Sequence, residues 1–293
     1  MPFHSNGEIR YYQFELFDDG PVHAIFTRRG GVSPHPWAGL NLGGRVGDEP
    51  QRVRENCRRA LVALDCEPDS IYDVWQVHGV EVAIAESPRP PEIPHQQADA
   101  ILTAKPGITL MMRFADCVPV LLHDPVRKVV GIAHAGWMGT VHGAVRTAVE
   151  AMQARFGSNP GDIQAAIGPS IGPDHYQVGP DVVAQVRQTF GADTSELLAA
   201  RDGSMYFDLW AANRLTLEQA GVRQIEVAGL CTACHTDDWF SHRAERGRTG
   251  RFGAIITLKT SGLVLPSRTG VPPVFAARTV TLPWAGINPA PTG

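Results

Sequence analysis

Three short segments of this 293-residue chain set metal-competent side chains beside turn-forming residues: Gln76-Val77-His78-Gly79, Ala115-Asp116-Cys117-Val118-Pro119 and His134-Ala135-Gly136-Trp137. A lone thiol between apolar strand halves, or a lone histidine at a strand end, is ordinarily a core residue. Here Pro119 closely follows Cys117, and Ala-Gly follows His134. Turns of that kind expose side chains at the rim of a sheet, where sites are built. Two imidazoles and one thiolate make the shell of a catalytic zinc ion, with a fourth position open to water or substrate. An ion so held lowers the pKa of its water to roughly 7 and supplies hydroxide at neutral pH. A helix expected to open near Gly139-Thr140 would aim free N–H groups and a positive dipole end at the same place, forming an anion pocket. The three ligands are distant in sequence, so a rival stays open: Cys117 as a metal-free nucleophile with His78 or His134 as its base.

The elements that must position these residues are legible from periodicity. Runs at Ile9–Phe17 and Val22–Thr27, around Asp18-Asp19-Gly20, predict a β-hairpin. Residues 49–64 predict a helix with Val53, Cys57, Ala60, Leu61 and Leu64 on one face. Cys66 falls just past its end. Strands are expected at Ile71–His78, Glu81–Ala85, Ala100–Thr103, Thr109–Phe114, Val118–His123 and Val129–His134, with a Pro-rich loop over Arg89–Gln97. The helix near Thr140 presents Val141, Val145, Ala148, Val149 and Met152. Further helices are expected over 180–190 and 208–220, the latter capped by Asp208 and stopped by Gly221. Strands at Ile225–Leu230 and Phe252–Leu258 close the pattern. The reading is one α+β domain with mixed sheets over 1–260, followed by a Pro/Gly-rich extension over 261–293 that carries no chemistry.

Composition narrows the class. Hydrophobic residues make up 43% and charged residues 19%, enough for a real core. A net charge of −4 argues against nucleic acid or a membrane surface as partner. No segment reads as a targeting signal or a membrane span, so a cytoplasmic location is expected. Five cysteines, an odd number at low density, favour free thiols or metal ligands over bridges.

Two motifs are weighed and set aside. Cys231-Thr-Ala-Cys-His235 has the haem-attachment pattern, but covalent haem requires export. A redox dithiol is the better competitor; the plainer reading is free thiols, favoured for Cys234 and left open for Cys231. Gly168-Pro-Ser-Ile-Gly172 has the nucleophile-elbow pattern, but Ile-Gly-Pro cannot continue as the helix that motif needs, so Ser170 is expected in a loop bordering the pocket. No His-x-Glu, His-Glu-x-x-His or P-loop pattern occurs.

A longer pattern runs through the chain. Thr27-Arg-Arg-Gly-Gly-Val-Ser33, Leu40-Asn-Leu-Gly43 with Gly47-Asp48, Gln76-Val-His-Gly79, Ala98-Asp-Ala100, Ala115-Asp-Cys-Val-Pro-Val-Leu-Leu122 and His134-Ala-Gly-Trp137 occur in that order. Ile167-Gly-Pro-Ser-Ile-Gly-Pro173, Tyr206-Phe-Asp-Leu209, Cys231-Thr232, Phe240-Ser241, Arg243 and Gly250-Arg251 follow. From about Thr27 to about Leu258 the chain resembles the laccase-domain family, formerly multicopper polyphenol oxidoreductases and now described as zinc-dependent purine nucleoside phosphorylases with adenosine deaminase activity. The resemblance implies a layered α/β/β/α sandwich related to a group of cysteine hydrolases. It implies His78, Cys117 and His134 as ligands of zinc, with copper the other candidate. It implies a purine nucleoside (adenosine, inosine or methylthioadenosine) and phosphate as small-molecule partners, and leaves the oligomeric state open. Arg28, Arg243 and Arg251 are the motif arginines to test as phosphate ligands; Asn41, Gln76 and Asp116 are further candidates for catalysis or substrate binding. One His-Cys-His set is too small for a laccase-type copper cluster, so phenol oxidation ranks low, and a metal-stabilised nucleoside-binding protein without turnover is the non-enzymatic rival. Met138 stands where the family commonly has Arg, which predicts a weaker or differently specific site if that Arg binds an anion; His242 replaces a usual Tyr, a change expected to be minor.

Overall fold

The structure is a computed structural model that describes residues 2–260; the extension expected over 261–293 lies outside the described residues. One six-stranded sheet has the order β1 (Phe3–Asn6), β2 (Ile9–Tyr12), β3 (Val22–Phe26), β15 (Phe252–Thr257), β7 (Thr109–Phe114) and β4 (Ile71–Asp73). A second has the order β14 (Gln224–Val227), β10 (Gln164–Ile167), β8 (Val118–Asp124), β9 (Val129–Ala135), β6 (Ala100–Thr103) and β5 (Val82–Ile84). Each is mixed: β4 runs parallel to β7, and β5 to β6, within otherwise largely antiparallel neighbours. A small third sheet joins β11 (Gln177–Val178), β13 (Ser204–Phe207) and β12 (Leu198–Arg201).

The two large sheets face each other. Leu110, Met112, Phe114, Ala254 and Ile256 of the first pack with Ile101, Leu121, Val130, Ile132 and Ala166 of the second. The opposite face of the first sheet, through Ala24, Phe26, Met111 and Ile255, is covered by Ala60 and Leu61 of α1 (Pro50–Val62). The opposite face of the second is covered by α3 (Ala144–Phe156) and α6 (Leu209–Gln219), with α4 (Pro180–Phe190) in the same core. These are the four layers expected. Burial on both faces explains why β8 and β9 read as unbroken apolar runs instead of alternating ones. Alternation still decides direction: Val130, Ile132 and then His134 point between the sheets, whereas Ala133 and Ala135 point at the helices. Among the described residues no helix is long and apolar enough to cross a membrane.

Four expectations are corrected. The first strand stops at Tyr12 and gives way to a 3₁₀ turn at Glu15–Phe17, and β1 had no signal strong enough to be named. The helix expected from Thr140 is two helices. The short α2 (Trp137–His142) ends at Gly143, whose φ of 82° only glycine adopts freely, and α3 restarts there. The apolar spacing runs across that break, which is why sequence periodicity hid it. Ile71–His78 is a strand only to Asp73, after which the Gln76 amide completes the ladder, donating to Arg113 O at 2.8 Å and accepting from Arg113 N at 2.9 Å. The third sheet and the short α5 (Thr194–Leu197) were not expected at all. Nor was β10, which pairs with both β14 and β8, although the strand Gln164–Ile167 lies inside the second sheet. The other strands and helices fall within a few residues of their expected bounds, including the Asp208 cap, which accepts from Ala211 N.

Candidate metal centre

The turn between β7 and β8, the end of β9 and the loop after β4 meet at one rim of the sandwich. They bring together His78, Cys117 and His134, whose ligand atoms all lie within 4.8 Å of one another. Two imidazoles and a thiolate on a common centre suit a single borderline-soft ion. All five cysteines of the chain are free.

What sets the geometry is a residue to which sequence reasoning gave no role. Asp99 is fully buried; its Oδ1 accepts from His134 Nδ1 at 2.8 Å and from the His78 backbone N–H at 3.0 Å. Its Oδ2 accepts from the amides of Val77 at 3.1 Å and Gly79 at 2.7 Å. Three successive amides thus wrap one carboxylate, and they hold His78 at a φ of 61°, a conformation non-glycine residues rarely take. The same carboxylate fixes the proton on His134 Nδ1, so that Nε2 is left to face the centre. The signal in the sequence was an acid at the start of an apolar strand, Ala98-Asp99-Ala100, which a soluble fold tolerates only with partners.

Electrostatics follow from that chain of contacts. Burial opposes ionisation of Asp99, but His134 and the Gly79 and Val77 amides outweigh it and hold its carboxyl below the ordinary value. Burial likewise would push the Cys117 thiol up; His134 and His78 bring it below an ordinary thiol instead. Burial would pull His134 down, and the Cys117 sulfur and Asp99 raise it. Both shifts favour the charged form of each partner, the thiolate and the imidazolium.

Gly136 leaves room for the sulfur: a Cβ there would lie 2.9 Å from Cys117 Sγ and 3.4 Å from His78 Cδ2. Gly136→Ala is therefore expected to weaken metal binding roughly tenfold while all three candidate ligands remain, read with added Zn²⁺ in competition with a chromophoric chelator. Wild-type affinity in that variant would mean the sulfur is not where the centre needs it.

The centre forms part of the wall of a cavity of about 770 Å³, lined also by Trp75, Arg113, Tyr176, His242, Arg243 and Arg251. The expected candidates divide around it. Arg251 lines the cavity with its side chain half-buried; its nearest acceptors are the carbonyls of Gly250 at 2.9 Å and Thr249 at 3.3 Å, and no described carboxylate pairs with it. Burial pulls its pKa down, against the Cys117 and Asp116 charges. Arg243 also lines the cavity, donating to Gln177 O at 2.9 Å and lying over the Tyr176 ring. Gln76 and Asp116 line it too, but their polar atoms are engaged. Asp116 accepts from Thr232 Oγ1 at 2.7 Å and from Arg243 N at 2.6 Å, which braces the loop ahead of Cys117. Asn41 is fully buried behind the wall, where Oδ1 accepts from Gly43 N and Arg251 N, both at 2.9 Å. Arg28 is elsewhere: it clamps Glu245 at 3.0 Å and lies over Phe240. Met138 is not part of the cavity lining, whereas His242 is, which reverses the weight given to the two departures. The anion pocket expected near Thr140 is not formed as imagined, because α2 starts at Trp137 and has only six residues. Ser170 is fully buried, hydrogen-bonded to Trp210 Nε1 at 2.6 Å, and is no exposed nucleophile.

Known proteins resemble this chain over most of its length. Over 236 residues, 80% of this chain and 88% of the relative, the chain is 44% identical to a purine nucleoside phosphorylase of Deinococcus radiodurans. It is 38% identical over 250 residues to the purine nucleoside phosphorylase YlmD of Geobacillus stearothermophilus, covering 81% of this chain and 90% of that one. The crystal structure of YlmD from Geobacillus stearothermophilus superposes with a TM-score of 0.82 at 35% identity, covering 88% of this chain and 99% of that one. Residues 22–259 match the family described as multi-copper polyphenol oxidoreductase laccase, and the chain belongs to that family.

Proposed function

We propose that this protein is a zinc-dependent purine nucleoside phosphorylase that splits adenosine, inosine or methylthioadenosine with phosphate into base and ribose 1-phosphate, and that also deaminates adenosine. The observation that carries the reading is the convergence of His78, Cys117 and His134 on one wall of a roomy, arginine-lined cavity. The names of the relatives supply the substrate class.

His78, Cys117 and His134 would hold the ion, and bound there it supplies Lewis acidity to the cavity. Asp99 keeps His134 oriented and its Nδ1 protonated. Arg251, a half-buried guanidinium without a described carboxylate partner, is the natural seat for phosphate, since an anion relieves the cost of partly burying its charge. Arg243 stands beside it on the lining. Trp75, 44% exposed with Arg45 over its ring at 3.8 Å, offers an apolar face for a purine.

Arg251→Ala is expected to raise the KM for phosphate about tenfold or more, with a smaller effect on the nucleoside KM. The reading itself is tested by chromatography of adenosine incubated with and without phosphate. Adenine and ribose 1-phosphate that require phosphate, with inosine alongside, support it. Absence of any base release with the metal bound would refute the substrate assignment.

One observation favours a second reading. Cys117, His134 and Asp99 form a thiol–imidazole–carboxylate series of the kind cysteine hydrolases use. In that reading the metal-free protein acts, Cys117 is the nucleophile, and the layered fold reflects kinship with those hydrolases. Zinc would then inhibit, which separates the two.

A further inference from the structure

We propose a second metal site, built from His175, Cys231 and Cys234, that takes a borderline-soft divalent cation of the zinc type. It shares no ligand with the first centre. The three donors come from two loops, one running on from Gly172 and one following the bridge between Ser170 and Cys231. Their ligand atoms lie within 4.8 Å of one another, and both sulfurs approach the same nitrogen: His175 Nδ1 is 3.8 Å from Cys231 Sγ and 3.5 Å from Cys234 Sγ. Bonds of about 2.3 Å to sulfur and about 2.0 Å to nitrogen at tetrahedral angles put sulfur and nitrogen about 3.5 Å apart, so one ion spans these edges with little movement. The Cys-x-x-Cys spacing is the one structural zinc sites use.

The surroundings fit a held ion. Cys231 is buried and its sulfur accepts from the Gly172 N–H at 3.2 Å, the contact that steadies a ligating thiolate. Cys234 and His175 are exposed, which gives the ion a route in and leaves its fourth position to solvent. Both loops border the main cavity: Tyr176 follows His175 and lines it, and Thr232 follows Cys231 and donates to Asp116. A cation here ties the two loops together and steadies both residues.

The test uses the full-length chain with Cys117→Ala, which removes the thiolate of the first centre, titrated with Co²⁺ alone. Thiolate-to-metal absorption is expected to grow to saturation at one equivalent. Adding Cys234→Ser should abolish most of that absorption, and adding His175→Ala should weaken binding about tenfold or more. Both residues are exposed, so the variants should melt like their parent, which thermal unfolding checks. Absorption unchanged by Cys234→Ser would overturn the proposal. So would a Cys231–Cys234 disulfide that forms in air despite saturating Zn²⁺, since the pair would then be a redox dithiol.

Discussion

Asp99→Ala should cost both the metal and a large share of the stability. The carboxylate is fully buried and accepts four hydrogen bonds, one from His134 Nδ1 and three from the consecutive amides of Val77, His78 and Gly79. Truncation leaves those amides without their acceptor and releases the unusual φ of His78, at a cost of about 2–4 kcal/mol. It also frees His134 to change tautomer, and loss of an orienting carboxylate typically lowers metal affinity about 10–100-fold. Asp99→Asn separates the effects. It keeps the shape, so most stability should survive, while the lost charge and the amide N–H weaken the hold on His134 and with it the metal. Urea unfolding and chelator competition on both variants measure this. An Asp99→Ala protein that binds zinc as the wild type does would show that the centre is organised by something else.

The second large effect lies behind the cavity wall. Asp73 is 3% exposed and receives Arg113 Nη1 on Oδ2 at 2.8 Å, with Arg89 Nη2 at 2.8 Å and His95 Nε2 at 3.2 Å on Oδ1. Arg113 also donates to Leu42 O at 2.6 Å, so this one side chain joins β4, β7 and the loop of Leu40–Gly43. Removing the carboxylate strands a largely buried guanidinium, and since breaking fully buried pairs costs about 3–5 kcal/mol, the loss here is expected toward the low end, about 3 kcal/mol. Burial opposes ionisation of Asp73, but Arg113, His95 and Arg89 outweigh it and hold the carboxyl far below the ordinary range. A depressed folded pKa contributes stability that is fully present above the unfolded value, about 3.9, and is lost as pH falls through the folded one. The melting temperature of Asp73→Asn should therefore trail the wild type by a constant margin at neutral pH, with the gap closing only in acid below that value. A gap that persists unchanged in strong acid would mean the charge on Asp73 is not what holds Arg113.

The sequence exposes the parts of this molecule that rest on local pattern. Ala100–Thr103 and Thr109–Phe114 are found at their expected limits and Val118–Asp124 and Val129–Ala135 one residue beyond, because each is a mainly apolar run closed by turn residues. The three ligand candidates were readable because each stands at the edge of an expected strand beside turn residues. What was hidden depends on partners far along the chain. Asp99 is given its role by amides 20 to 22 residues away. Arg28 and Asn41 sit in motifs as suggestive as that of Arg251, yet one braces Glu245 and the other supports the backbone of Arg251 itself. His175 carries no motif, and only the fold brings it to Cys231 and Cys234. The division of the helix at Gly143 was lost for the opposite reason, since its apolar spacing continued across the break.

Metal content and adenosine phosphorolysis, measured side by side on wild type and Cys117→Ala, test the role of the His78–Cys117–His134 centre most directly. Cys117→Ala is expected to lose one equivalent of zinc and all phosphorolysis together while still unfolding cooperatively. A Cys117→Ala protein that continues to form adenine and ribose 1-phosphate, or a wild type that turns over only once zinc is stripped and Cys117 can be alkylated, would contradict it.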